Sequence, residues 1–393
     1  MRFKDFVLKK AKIILAFQFF LWYIISEIIS FFLGKATSPL TESYITSNDL
    51  IIDFSQPSYL LTEKQYLNDF GHHKIFDILL DKHLTNSEKR YRLNRRLSYL
   101  FSNYIPTSKS WVLPYGIGHT FLKWFCQKTW VRNRFFDNKV ALIKEFLILM
   151  DHSVISENDI IEQSLINNCW LRWKYIALSQ MNHISFNHWV KIIGFSNFQK
   201  IYQQKQGVIL LTNRSVLVLL IILILYRANL EKNMGIIGTH KEALQLLSLS
   251  DDWIEEMIPE EMGQDRLKGL KRQTFKCHKI LKRGGIVIIT PDAIFTGKKA
   301  LIYPFFNRPR LFQPGFAKMA LTTNSICMPV NISLTSTGQI EVKFMEPFQT
   351  IEGSKQEKIS NLVEQYANYL EKVWKKDFSN LMLDDLPYFT VPK

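Results

Sequence analysis

Residues 207–226, Gly-Val-Ile-Leu-Leu-Thr-Asn-Arg-Ser-Val-Leu-Val-Leu-Leu-Ile-Ile-Leu-Ile-Leu-Tyr, constrain the fold more than any other stretch. Val208–Thr212 is a short apolar run of the kind that forms a strand buried on both faces. Asn213, Arg214 and Ser215 interrupt it, and an aliphatic segment then runs from Val216 to Tyr226. That segment falls short of the roughly 20 apolar residues a bilayer span needs, so it is expected to be a buried helix. A core strand, a polar turn and a core helix in succession point to an open α/β fold. The turn is where such folds place ligands and chemistry.

The residues around this stretch fit the same class. Val190, Ile192 and Ile193 before Gly194 predict a short strand, and Met234–Ile237 another. Residues 251–263 are acidic and predict a surface loop or helix. Residues 264–283 are basic and amphipathic, with Leu267, Leu270, Phe275 and Leu281 set against lysines and arginines. Gly284-Gly285 ends that helix. Ile286–Thr290 is a second core strand, with Pro291-Asp292 at its carboxyl end. Leu301–Phe306 leads into Asn307-Arg308-Pro309. Pro314-Gly315 opens a helix to about Thr322, Ile326–Ser333 and Gln339–Phe344 predict strands, and a final helix is expected over Lys355–Lys376.

Upstream, Trp111–Val131 is aromatic and weakly charged, and is expected to be a helix lying on a membrane or packed on a sheet. Residues 137–186 carry apolar positions at helical spacing (Val140, Ile143, Leu147, Met150). Residues 36–75 read as a loosely structured linker, and 76–100 carry a cluster of Lys and Arg. Residues 13–33 are long and apolar enough to cross a bilayer, with Lys9, Lys10 and Lys12 on one side. Glu27 within them favours the alternative of an interfacial helix, and a targeting segment or a buried helix are further readings. No small-residue cleavage site follows, so the segment is expected to be retained. The domain reading is 1–35 membrane-associated helix, 36–107 linker and helical extension, 108–376 main domain and 377–393 tail.

The formal charge is +15, from 50 basic and 35 acidic residues, and the chain holds 29 Phe, 15 Tyr and 9 Trp. Basic, aromatic and aliphatic together, it is expected at an anionic membrane surface. No nucleic-acid module is visible, so no nucleic-acid partner is expected. The four cysteines are far apart with no CxxC pattern, so neither a zinc site nor a disulfide framework is indicated, and no cofactor is expected.

The second half also resembles a known family. Gly207–Thr212, the segment Leu281–Asp292, Pro304-Phe305-Phe306-Asn307-Arg308-Pro309, Pro314–Ala320 and Cys327-Met328-Pro329-Val330 occur in the order and spacing of the bacterial lipid A biosynthesis acyltransferases, within the wider glycerolipid acyltransferase group. The resemblance covers about residues 108–375. It implies an α/β fold with a central mixed sheet flanked by helices and an N-terminal hydrophobic helix. It also implies transfer of a fatty acyl group from acyl-carrier protein or a coenzyme A thioester to the hydroxyl of a membrane lipid. The expected location is the bacterial inner membrane, with the main domain on the cytoplasmic side.

The family's catalytic pair is a His followed five positions later by an acid. The His takes the proton of the attacking hydroxyl, and the carboxylate orients the imidazole. Here those positions fall on Arg214 and Leu219. An arginine stays protonated at any ordinary pH and cannot act as a general base. Two readings follow. Either the chain keeps the fold and binds a lipid or scaffolds a partner enzyme without catalysis, or a base comes from elsewhere, with Asp292 and His240 as the candidates. Asp292 is otherwise a loop-tying or capping carboxylate, and His240 a surface side chain. Asn213, Arg214 and Arg308 are the candidate substrate-binding residues. Arg214 either grips a phosphate or carboxylate or pairs with a loop acid such as Asp292.

Overall fold

The computed structural model of the chain describes residues 114–129, 157–239, 241–258, 266–292 and 300–383, with isolated positions elsewhere between 107 and 150. The expectations for residues 13–33, 36–75 and 76–100, and for His240, lie outside the described residues. Strands β1 (Thr107–Ser108) and β2 (Trp111–Val112) pair as a small ribbon. Helices α1 (Tyr115–Cys126), α2 (Glu157–Asn168), α3 (Leu171–Ser179) and α4 (His183–Trp189) follow. The α/β part then runs β3 (Val190–Ile193), α5 (Phe195–Gln203), β4 (Val208–Leu211), α6 (Leu220–Arg227), β5 (Met234–Ile237), α7 (Lys241–Gln245), α8 (Asp251–Met257), α9 (Arg266–Lys282) and β6 (Ile286–Ile289). After it come β7 (Leu301–Phe305), β8 (Arg308–Phe312), α10 (Gly315–Thr323), β9 (Ile326–Leu334), β10 (Ile340–Phe344) and α11 (Lys355–Asp377).

Six strands form the central sheet in the order β3-β10-β9-β4-β6-β5. The β9–β10 pair is antiparallel and the other neighbours are parallel. This is the mixed, mostly parallel sheet flanked by helices that the sequence implied. Every residue of β4 and β6 is buried, because a strand inside a parallel sheet has both faces covered; such strands read as unbroken Val/Ile/Leu runs. Gly284 ends α9 with φ +77°, and a Cβ there would meet the Lys205 carbonyl oxygen at 2.5 Å. Only glycine turns the chain so tightly from helix into strand. α11 starts on a capping box in which Ser354 and Glu357 bond each other's backbone N–H groups.

Two expectations are corrected, and one element was not expected. The aliphatic run is not helical from Val216. Residues 216–219 form a turn, and α6 begins at Leu220. The Tyr175 hydroxyl donates to the Val216 carbonyl at 3.1 Å and accepts from the Leu219 N–H at 3.3 Å. Tertiary bonds therefore take backbone groups that a helix would have used. The Trp111–Val131 stretch enters as ribbon and becomes α1, whose buried face packs on α2 and α3 rather than on the sheet. Residues 301–312, for which no element was expected, form a hairpin. Phe306 and Asn307 both have positive φ, 51° and 58°, as a two-residue turn matched to strand twist requires. Among the described residues, no helix is long and apolar enough to cross a membrane.

Candidate functional site

β4 and β6 lie side by side, and their onward connections part. From β4 the chain runs to β5, beyond β6; from β6 it returns to β9, on the far side of β4. Open α/β folds bind ligands outside the carboxyl ends of their strands at such a switch point. Here the two carboxyl ends carry Thr212-Asn213-Arg214-Ser215 and Thr290-Pro291-Asp292.

The turns are laced together. The Thr212 and Thr290 hydroxyls lie 2.8 Å apart. The Arg214 backbone N–H donates to Asp292 Oδ2 at 3.0 Å. From α11, the Tyr366 hydroxyl donates to the Thr212 carbonyl at 3.0 Å. Beyond α11, the Met382 N–H donates to the Arg214 carbonyl, the Val216 N–H to the Asn380 carbonyl, and Ser215 bridges to Leu381. Leu381 and Leu383 are themselves buried in the core. This turn is held from both sides.

Asp292 is buried. Burial raises its carboxyl above the ordinary carboxylate range, opposed by the Arg310 charge and then by the Arg214 N–H and charge. Arg310 projects from β8 into a cage of rings, its guanidinium 4.5 Å from the centre of Phe305, 5.0 Å from Phe312 and 5.4 Å from Trp374. Burial lowers it to about 10 while Asp292 holds it up, so it remains a cation at neutral pH. Burial and the Asp292 charge push Tyr366 well above its ordinary value, which keeps it a neutral donor. Three buried oxygens at this crevice, Asn213 Oδ1, Ser215 Oγ and Asp292 Oδ1, have no hydrogen-bond partner among the described residues. Buried polar atoms are normally satisfied, so these three leave hydrogen-bonding capacity at the ends of β4 and β6.

Asn213, Arg214 and Asp292 thus meet at the carboxyl ends of β4 and β6. Asp292 ties the turn through the backbone N–H of Arg214, and the Arg214 side chain is half-buried at the rim. Arg308 is the first residue of β8, opposite Phe305; its side chain lies outside the described residues. Sequence reasoning missed Arg310 and Tyr366. The one available signal for Arg310 is that it stands two residues before Phe312 on a strand, and period-two spacing puts both on one face. Tyr366 sits on the apolar stripe of α11 and reads as ordinary core. At the position of the second catalytic group, Leu219 packs partly buried against the core, with its N–H held by Tyr175.

An open α/β domain with polar turns at a switch point belongs to the class of ligand-binding α/β scaffolds. Within that class, the family model for bacterial lipid A biosynthesis acyltransferases matches residues 145–378, more than half of the 393 residues. The chain belongs to that family. No curated protein matches it.

Proposed function

We propose that this chain binds an acylated lipid or acyl thioester at the crevice between β4 and β6 and does not run its family's His-dependent acyl transfer. The observation that carries this reading is the turn itself. Arg214 stands where the imidazole belongs and Leu219 where its carboxylate belongs, and the backbone of both is tied by tertiary bonds. A permanent cation cannot take a hydroxyl proton. It can hold a phosphate or carboxylate, while the open oxygens of Asn213, Ser215 and Asp292 accept from a sugar or glycerol hydroxyl. The family's donor, an acyl-carrier protein or coenzyme A thioester, and its membrane-lipid acceptor remain the ligand classes to try. The inner membrane, with this domain on the cytoplasmic face, is where both are met.

The test pairs native mass spectrometry of gently solubilised protein with a radiolabelled acyl-transfer assay on membranes, using both donors. Co-purifying lipid with no transfer is expected. Restoring the pair with Arg214→His and Leu219→Glu is expected to raise transfer above the parent's background. Turnover by the parent chain overturns the reading.

A second reading is favoured by one observation, the unoccupied Oδ1 of a buried carboxylate whose pKa is raised. Such a carboxylate can act as a base nearer neutrality than an exposed one. If the parent does transfer acyl groups, Asp292→Asn should abolish the activity. Activity that survives it, but not His240→Ala, would move the base to His240.

A further inference from the structure

α9 carries no acidic residue from Arg266 to Lys282. Its inner face, with Gln273, Cys277 and Leu281 buried, packs on β5 and β6. On the outer face, Lys271, Phe275, Lys279 and Lys282 recur at helical spacing and share one stripe about 16 Å long. Phe275 is 62% exposed, and the Lys279 ammonium sits 4.6 Å from the centre of its ring. Among the described residues, the acids near it lie to the flank. Glu256 on α8 takes Lys276 and Glu255 takes Lys241, whereas Lys271, Lys279 and Lys282 have no carboxylate partner among the described residues.

A solvated helix face accounts for the lysines and leaves Phe275 unexplained, since an aromatic ring in water forfeits burial free energy. We propose that this stripe docks on an anionic lipid surface, with Phe275 inserted among the headgroups and the three lysines on phosphates. Charge complementarity requires an anionic occupant. A protruding ring between flexible lysines suits a fluid layer that yields to it, whereas a folded protein would need a pocket matched to Phe275. Lysine stems lie along an apolar boundary while their ammonium groups stay hydrated. The dock also has consequences for the crevice. Gln273 accepts from the Gly238 N–H at the carboxyl end of β5, so the amino-terminal half of α9 is fixed to the crevice edge of the sheet. Membrane contact through α9 therefore sets that edge relative to the lipid, whether or not acyl transfer occurs there.

The experiment measures partition of the full chain onto phosphatidylglycerol and phosphatidylcholine vesicles at low salt. Comparing each variant's ratio with the parent's removes the contribution of residues 13–33 and the lysines beside them, which are present in every variant. The triple variant Lys271→Gln, Lys279→Gln, Lys282→Gln should lower the ratio by about 100-fold, at roughly 1 kcal/mol per basic residue. Phe275→Ser should weaken binding to both vesicles by about tenfold. All four positions are on the outer face, and unchanged thermal melting identifies variants that keep the fold. An unchanged ratio in the triple variant overturns the proposal. So does loss of binding to an acidic acyl-carrier protein with vesicle partition intact, which would make α9 a protein-docking face.

Discussion

Lys174 and Asp292 are both buried charges, and among the described residues one is satisfied completely and the other by half. Lys174 Nζ donates to the carbonyls of Ile166, Asn167 and Cys169 at 2.7, 2.7 and 2.8 Å. Three N–H groups meet three acceptors at the carboxyl end of α2, where the last carbonyls of a helix are unpaired and its dipole favours a cation. Burial pushes Lys174 down to about 7, and the three carbonyl bonds, complete only for the ammonium, act against that shift. Among the described residues, Asp292 has one N–H on Oδ2 and no hydrogen-bond partner on Oδ1. A closed polar shell fixes structure. An open one, sitting at a switch point, leaves a valence for something that comes and goes.

The contrast is most easily broken at Lys174. Lys174→Met is close in volume but leaves three buried carbonyls without donors, and should cost about 3–5 kcal/mol. Urea unfolding of the full chain measures it. A loss under about 1 kcal/mol would mean that water reaches those carbonyls and that the shell is not structural.

His119 reports on the same corner through pH. It stacks on Tyr115 with centroids 6.2 Å apart, and burial, followed by the Lys174 charge, lowers it to about 4. An unfolded histidine titrates near 6.5. Between these values the unfolded chain binds more protons, so this residue's stabilising share is present above 6.5 and is lost as pH falls toward 4. The loss should be about 3 kcal/mol. The His119→Gln variant should show a correspondingly shallower fall across that window than the parent. Equal slopes would show that His119 is hydrated.

The strands of the sheet were legible because parallel strands buried on both faces leave unbroken apolar runs; Val208–Leu211 and Ile286–Ile289 needed nothing else. The polar turn was legible because Asn213, Arg214 and Ser215 interrupt such a run, and Asp292 because it ends one. The β7–β8 hairpin was hidden. Its turn residues are Phe306 and Asn307 rather than a glycine pair, and Pro304 faces Pro309 across the ladder, where prolines argue against a strand unless it lies outside a central sheet. Residues 216–219 misled because local composition says helix and a distant hydroxyl, Tyr175, says turn. Arg310 and Tyr366 were invisible for a related reason. Their roles depend on partners far away in sequence: an arginine in a surface-like stretch becomes an aromatic-caged counter-charge only once Trp374 closes over it.

The smallest expected effect belongs to Asp292, and it tests the other half of the contrast. In Asp292→Asn the side-chain oxygen still accepts the Arg214 N–H, while Arg310 loses its neighbouring carboxylate. The amide is free of the desolvation that raises the carboxyl's pKa, and this offsets part of that loss. The net cost should be about 1–2 kcal/mol, well below that of Lys174→Met in the same urea titration. The variant should also co-purify with less lipid than the parent in native mass spectrometry, because the orphaned oxygen is the proposed contact. A cost matching that of Lys174→Met, with lipid retained, would make Asp292 a structural counter-ion of Arg310 and leave Asn213 and Ser215 as the open side of the crevice.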